Sequence, residues 1–467
     1  VRKITKNILF VFSGDVFSRV LGFFATIWLA RVLGTHGFGE VSFAFTFLGY
    51  ALLFVDPGLS SLGTREIAKT PLLSRGYIGR IIPLRFILAV TAFIIIAVLT
   101  FLIPTMAEVR PIIILYCLSL FPYALSVEWF FRGIEEMKYI GISAVIAYSF
   151  YLLPLLVFVK SPENINLIPF FWFVGGILST SFLALTARRK RELKIENSRL
   201  EITGWGLVRK ALPIGIGTVM TQIYFNFDIT MLGFMKGIEE AGLYTAVYKL
   251  LMFLLLIDRV FSMVILPLIS RYYRESKERL EGILSFAAKA VIALVLPISA
   301  GGAVLALPIV RLIYGEGYTP ASFAFQIVIW TLTITTIGSI YTQGLIASGN
   351  EKKYAVAMVT GTVANIILNV IMIPILGIVG AAMATVCSEI VMVLLMRHAF
   401  NRIIRVQILP YVVKPAFASA VMCISLYFLR MLNVVLLVFI GIVVYIAFLY
   451  IIGGITRDDI RLVMGEG

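Results

Sequence analysis

The sequence predicts an all-α integral membrane protein of about fourteen transmembrane helices, built as two parallel six-helix lobes followed by a C-terminal helix pair. Three observations carry this: apolar runs recur along the chain, positive charge alternates between the connecting loops, and motifs of the first half return in the second. Only 14% of the 467 residues are charged and 60% are hydrophobic, with a mean hydropathy of +1.00. Soluble domains carry about 25% charged residues, so most of this chain cannot face water.

A bilayer span needs roughly 20 apolar residues. Spans are therefore expected at 8–30, 38–58, 80–103, 111–131, 141–159 and 167–187, then at 206–235, 241–270, 283–307, 321–348, 354–374 and 377–396, and finally at 411–429 and 433–453. An even number leaves both termini on one side. With that side cytoplasmic, 29 of the 40 Lys and Arg fall in cytoplasmic segments, 6 in external loops and 5 within spans. Insertion with the positive loops inside produces this bias, which places the protein in the cell membrane with both termini cytoplasmic. The same distribution accounts for the net charge of +15 without nucleic acid, because the basic residues never gather into one phosphate-binding patch. Asp15 and Arg19 interrupt the first apolar run and argue against a cleaved signal peptide.

The organisation expected is an N-terminal lobe (1–187), a basic cytoplasmic linker riding on anionic headgroups (188–205), a second lobe (206–400), and the last two helices with a cytoplasmic tail (401–467). The lobes repeat one another. Leu33-Gly34, then Phe38-Gly39-Glu40, lead into a span ending near Asp56; Leu232-Gly233, then Ala241-Gly242-Leu243, lead into one ending near Asp258. GIEEMKY (133–139) likewise matches SGNEKKY (348–354). Six spans per lobe is even, so the repeats are parallel about an axis along the membrane normal.

These residues carry a family resemblance. Ala30-Arg31-Val32-Leu33-Gly34, Asp56-Pro57-Gly58-Leu59 and Thr64-Arg65-Glu66 resemble the first third of Wzx-type polysaccharide flippases. Leu212-Pro213, Asp228 with Met231-Leu232-Gly233, and Gly242-Leu243-Tyr244 agree in the second half. The superfamily also holds MATE drug exporters and lipid II flippases. The resemblance spans nearly the whole chain, including a final helix pair that drug exporters usually lack. It implies a V-shaped pair of lobes around a central cavity and alternating access. The cargo it implies is a polyprenyl-(pyro)phosphate-linked oligosaccharide, moved to the outer leaflet for cell-surface polysaccharide assembly. The expected partners are membrane lipids, that substrate and glycan-assembly enzymes, with the chain acting as a monomer.

Ionisable groups inside spans cost about 2.5–3.5 kcal/mol on insertion scales, so they mark cavities by default. Arg19, Lys249 and Arg259 are the candidate cations for an anionic headgroup. Asp15 lies one turn before Arg19, and an intrahelical pair between them is compatible with that role because a paired guanidinium keeps spare donors. Asp258 is read as a structural partner, and Arg85 and Lys289 as snorkelling from the cytoplasmic ends of their spans. Thr221 belongs with Thr218, Tyr224 and Asp228 to one helical face. Asn365 and Asn369 add uncharged polar groups suited to sugars, with helix–helix hydrogen bonding as the plainer reading. Asp228, Glu128 and Asp56 are the candidates for a coupling Na⁺ or H⁺; no other cofactor is expected.

Two further function classes compete. A MATE-like exporter of drugs or metabolites, coupled to cation entry, should favour acids over bases in its cavity. A membrane glycan polymerase or transferase needs a sizeable extramembrane site, whereas no external loop exceeds about 14 residues and no catalytic ligand spacing or GxxxxGK[ST] motif occurs. Neither catalysis nor a metal site is expected. Cys117, Cys387 and Cys423 sit unpaired in apolar stretches, and His36 and His398 stand alone at span ends.

Overall fold

The computed structural model describes residues 2–190 and 204–454, without the side chains of 2–15, 205, 214 and 216–218. Asp15, Thr218, most of the basic linker and the C-terminal tail beyond 454 thus lie outside the described residues or side chains. The protein is 88% helix with no strand among the described residues. In the first half the helices are α1 (Arg2–Val55), α2 (Leu59–Lys69), α3 (Ser74–Leu102), α4 (Arg110–Cys117), α5 (Leu120–Leu125), α6 (Glu128–Gly133), α7 (Met137–Phe158) and α8 (Leu167–Ala187). Then come α9 (Gly204–Met235), α10 (Ile238–Leu254), α11 (Leu256–Glu275), α12 (Lys277–Val304), α13 (Ala306–Tyr314), α14 (Ser322–Val328) and α15 (Trp330–Ala347). The last four are α16 (Glu351–Leu376), α17 (Ile378–Asn401), α18 (Leu409–Phe428) and α19 (Val434–Ile451).

Twelve segments among the described residues are long and apolar enough to cross a membrane. Helix length and composition therefore do not by themselves yield the expected fourteen. The first of the twelve, Val16–Val55, has 40 residues, about 60 Å of helix at ~1.5 Å per residue, twice a hydrocarbon core of about 30 Å. Gly34 interrupts it with φ 70° and ψ −176°, a conformation that only glycine adopts cheaply. The segment Arg110–Gly133 is broken into α4, α5 and α6, the second break falling at Ser126, whose backbone is extended.

By packing, the chain divides into two compact units, Val1–Thr245 and Ala246–Gly467. In the first, the sequence between the second and third spans forms the amphipathic α2. Its Leu59, Leu62, Gly63 and Ile67 are buried at three- and four-residue steps, against Trp129, Phe130 and Phe131 of α6. A side chain at Gly63 would strike the Trp129 indole at 2.5 Å, so glycine is required for this approach. In the second unit α12, α18 and α19 share a core of Leu305, Ala418, Met422, Leu426, Leu437 and Leu449. Tyr445 Oη, from α19, donates to the Ala293 carbonyl at 2.7 Å. Outward-facing positions stay apolar, as with Leu102, Ile375 and Phe428 at 70%, 75% and 78% exposure. That is the surface a lipid solvent demands.

Candidate functional site

Within the first unit, the turns that disclosed the internal repeat lie against each other. A Cβ on Gly39 would fall 2.0 Å from the Ile238 carbonyl oxygen, and one on Gly242 would fall 2.2 Å from that of Thr35. Thr35 Oγ1 donates to Glu239 Oε1 at 2.7 Å. Further along, the Phe43 ring fills the space that a side chain at Gly233 would need, and the Tyr50 and Thr230 hydroxyls pair at 2.9 Å. At the far end Gly58, with φ 95°, rests on the Ala211 carbonyl and Gly215. Two glycine-bearing repeats thus form one backbone-to-backbone seam of α1 against α9 and α10. Asp228 is buried in this region and accepts from Tyr244 Oη at 2.9 Å; Thr221 is half-buried on the same helix.

A second cluster lies where α1, α3, α5 and α6 meet. Arg85 is 1% exposed, which corrects the snorkelling expectation: its position along the span is near an end, but its helix face points inward. Nη1 donates to the Ser126 carbonyl at 3.1 Å and Nη2 to that of Tyr123 at 2.8 Å. The Asp56 carboxylate, 7% exposed, stands 3.8 Å from Nη2. Asp56 also accepts from the Ser60 amide at 2.9 Å and from the Ser60 hydroxyl, so it caps the start of α2. Next to this anchor is a cavity of about 190 Å³ lined by Tyr123, Ser126, Glu128, Tyr148, Trp172 and Thr180, among others. Glu128 pairs with Arg132 one turn on, and both are about half exposed. Asp56 and Glu128 are therefore brought together around Tyr123, and Asp228 belongs to the separate seam.

The matched GIEEMKY loop has a local role. Glu136 forms an ion pair with Lys190, the third residue of the linker beyond α8. Burial alone would lower the Lys190 ammonium, but the carboxylate more than offsets it and holds Lys190 above its ordinary value.

The predicted cations distribute between the units. Arg19 is exposed on α1 of the first. In the second, Lys249 is half-buried and Arg259 exposed. Asp258 accepts from Ser339 Oγ at 2.6 Å. Glu389, buried, accepts from Thr335 Oγ1 at 2.8 Å. Asn365 and Asn369 are 1% and 0% exposed. Asn369 Nδ2 donates to Asn365 Oδ1 at 3.1 Å, and Asn365 Nδ2 to Ser388 Oγ at 3.3 Å. They tie α16 to α17, and a glycan reaching them would have to part those helices.

One feature of the second unit gave no sequence signal. An apolar groove of about 630 Å³ runs between α12, α18 and α19, with Ala290, Leu294, Pro297, Met422, Gly441 and Tyr445 among its walls. Its residues come from distant parts of the chain and each reads as ordinary membrane-span composition.

The profile of the polysaccharide biosynthesis protein family matches residues 4–273, more than half of the chain. The chain belongs to that family. The lipid II flippase MurJ profile matches residues 139–450, reaching through α18 and nearly all of α19, so this family member sits within the MOP superfamily. A protein of Shigella dysenteriae described as an O-antigen transporter is 23% identical over 84% of this chain and 99% of its own length. The low-salt glycan biosynthesis flippase Agl15 of Haloferax volcanii is 25% identical over 193 residues, and the match spans 41% of each chain. Among solved structures, lipid II flippase MurJ in an inward closed conformation superposes with TM-score 0.77 at 18% identity, covering 97% of this chain and all of that one. A MATE multidrug transporter of the MOP superfamily gives 0.66 at 15% identity over 82% of this chain. At such identities the superpositions establish the fold, and the expected MurJ/MATE-like architecture is what they show.

Proposed function

We propose that this protein is an alternating-access flippase that carries a polyprenyl-(pyro)phosphate-linked oligosaccharide from the cytoplasmic to the outer leaflet for polysaccharide assembly. Family membership supports the class of cargo. The observation that carries the reading in the structure is the apolar groove bounded by α18 and α19. Drug exporters usually lack the final helix pair that bounds this groove, whereas a polyprenyl chain must be held beside the protein while its headgroup moves. Moving a lipid tail from bilayer to groove gains no hydrophobic energy, since both are hydrocarbon. Its contribution is dispersion contact and orientation.

The topology proposed is fourteen spans with both termini cytoplasmic. The 40-residue first segment crosses twice by turning at Gly34, and α9 adds a span to the remaining eleven. Arg19, Lys249 and Arg259 are proposed to meet the anionic headgroup. With the inside negative, each anionic charge carried outward gains about 2.3 kcal/mol per 100 mV, which favours export. If an ion is coupled as well, Glu128 is the best placed of the three candidate acids, because it lines the cavity of the first unit. The chain is proposed to work as a monomer, with the enzymes of glycan assembly as transient partners.

The test is reconstitution of the full chain with polyprenyl-linked sugars, read by a leaflet-specific probe at varied membrane potential. Ala290→Trp, which projects an indole into the groove, should reduce flipping at least tenfold while the protein still inserts and unfolds at the wild-type midpoint. Undiminished flipping in that variant would remove the groove from the mechanism, and absence of flipping by the wild-type chain with any lipid-linked sugar would remove the function.

A further inference from the structure

Three metal-ligating side chains converge at the end of the first unit that the charge bias assigns to the exterior. His36 and Glu40 are four residues apart just past the break at Gly34, so they project from one helix face a turn apart. Glu108 comes from the turn that leads into α4. His36 Nε2 lies 3.6 Å from Glu108 Oε1, and the ligand atoms of all three residues lie within 4.8 Å of one another. His36 therefore does not stand alone, as its sequence neighbourhood had suggested.

The spacing has a chemical meaning. Two ligands bound tetrahedrally at ~2.0–2.2 Å from one ion are about 3.4 Å apart, close to the His36–Glu108 separation. The side chains of His36 and Glu108 are 53% and 61% exposed, so small rotamer changes suffice to close the set. A simple ion pair accounts for His36 with Glu108 but gives no reason for a second carboxylate, Glu40, beside the same imidazole. Arg110, two residues from Glu108, is engaged elsewhere: it donates to the Thr100 carbonyl at 2.9 Å and lies over the Phe101 ring. One imidazole nitrogen with two carboxylates suits Zn²⁺ and its neighbours in the first transition row, whereas Ca²⁺ asks for six to eight oxygens.

We infer that His36, Glu40 and Glu108 form a binding site for a divalent transition-metal ion at the outer rim of the first unit. With three protein ligands and water in the remaining position, binding is weaker than at closed four-ligand structural sites. The site adjoins Thr35, whose hydrogen bond to Glu239 closes the seam. A bound ion fastens the turn that carries Thr35 to the loop before α4, and so stiffens the seam's outer end. Its placement on the outer side rests on the proposed topology; the site itself does not depend on the flippase reading.

The experiment uses the full chain purified in detergent, with Zn²⁺ itself as the probe in competition with a chromophoric chelator, and no transport substrate. The expected result is about one Zn²⁺ per chain. His36→Ala and Glu108→Gln should each weaken binding tenfold or more, since even outer-shell changes at metal sites cost 10–100-fold. His398→Ala, at the other histidine, should leave binding unchanged. Zn²⁺ should also raise the unfolding midpoint of the wild type and not that of His36→Ala, whose metal-free midpoint stays at the wild-type value. Absent or non-saturating binding, or binding that survives both ligand variants, overturns the site; displacement of Zn²⁺ by Ca²⁺ or Mg²⁺ in hundredfold excess overturns the metal class. Failure here leaves the flippase proposal intact.

Discussion

Substitution of Gly39 by Ala tests whether the seam of the first unit is a working closure. The added Cβ would sit 2.0 Å from the Ile238 carbonyl oxygen, whereas close carbon–oxygen contacts lie near ~3.3 Å. The backbones of α1 and α10 must therefore separate by roughly 1.3 Å. Neither flanking backbone can rotate away as a side chain would. The Thr35–Glu239 hydrogen bond, 2.7 Å long, does not survive an opening of that size. Overpacking of this kind costs about 1–3 kcal/mol, which shifts a closed-to-open ratio by about 5- to 150-fold. The assay is disulfide formation between Thr35→Cys and Glu239→Cys in a chain lacking its three native cysteines, with glycan export measured alongside. Cross-linking should be efficient in the parent and fall at least fivefold when Gly39→Ala is added. Gly79→Ala serves as the control, because a Cβ there meets nothing within 4 Å. An unchanged cross-link yield together with full export in Gly39→Ala would refute the reasoning.

The same cysteine pair, once oxidised, should stop export, and a reductant should restore it; export through the cross-linked protein would show that the seam need not part. Arg85→Met should destabilise the protein by about 3–5 kcal/mol, because it strands a buried carboxylate at Asp56, and the midpoint of thermal unfolding in detergent reads the loss. Pairing it with Asp56→Asn should recover part of that loss, although the Ser60 contacts weaken. Asn365→Ala should cost about 1–3 kcal/mol by leaving buried Asn369 and Ser388 short of partners, and export per folded molecule should stay at the wild-type level; a selective loss of export would return Asn365 to the sugar path.

The repeat motifs were legible because glycine is needed wherever two backbones touch, and that need leaves a mark at Gly39 and Gly242 whatever surrounds them. The membrane class followed from composition for an equally local reason. Side-chain direction did not. Arg85 lies near the end of its span, which suggested a chain reaching for the headgroups, yet the carbonyls that hold it come 38 and 41 residues later. His36 read as solitary because Glu108 is distant in sequence, although Glu40 at the helical spacing was a signal that could have been used. Asn365 and Asn369 share a helical stripe, but a stripe does not tell whether it faces a cavity or another helix. The groove of the second unit was invisible because its walls are shaped by the arrangement of α12, α18 and α19 rather than by residue type.

The buried guanidinium has a consequence for how the protein is made. When Arg85 of α3 is added to the growing chain, Asp56 has already been synthesised, but the carbonyls of Tyr123 and Ser126 have not. At ~5–20 residues per second those acceptors arrive roughly 2–8 s later, and until then α3 carries a cation that insertion scales charge with about 2.5–3.5 kcal/mol. Nascent chains arrested before Tyr123 should consequently show α3 slipping in and out of the lipid phase, while chains extended past Ser126 hold it fast. The carbonyl contacts that settle Arg85 in the finished unit thus also set an order of assembly, with the third span waiting on the fourth.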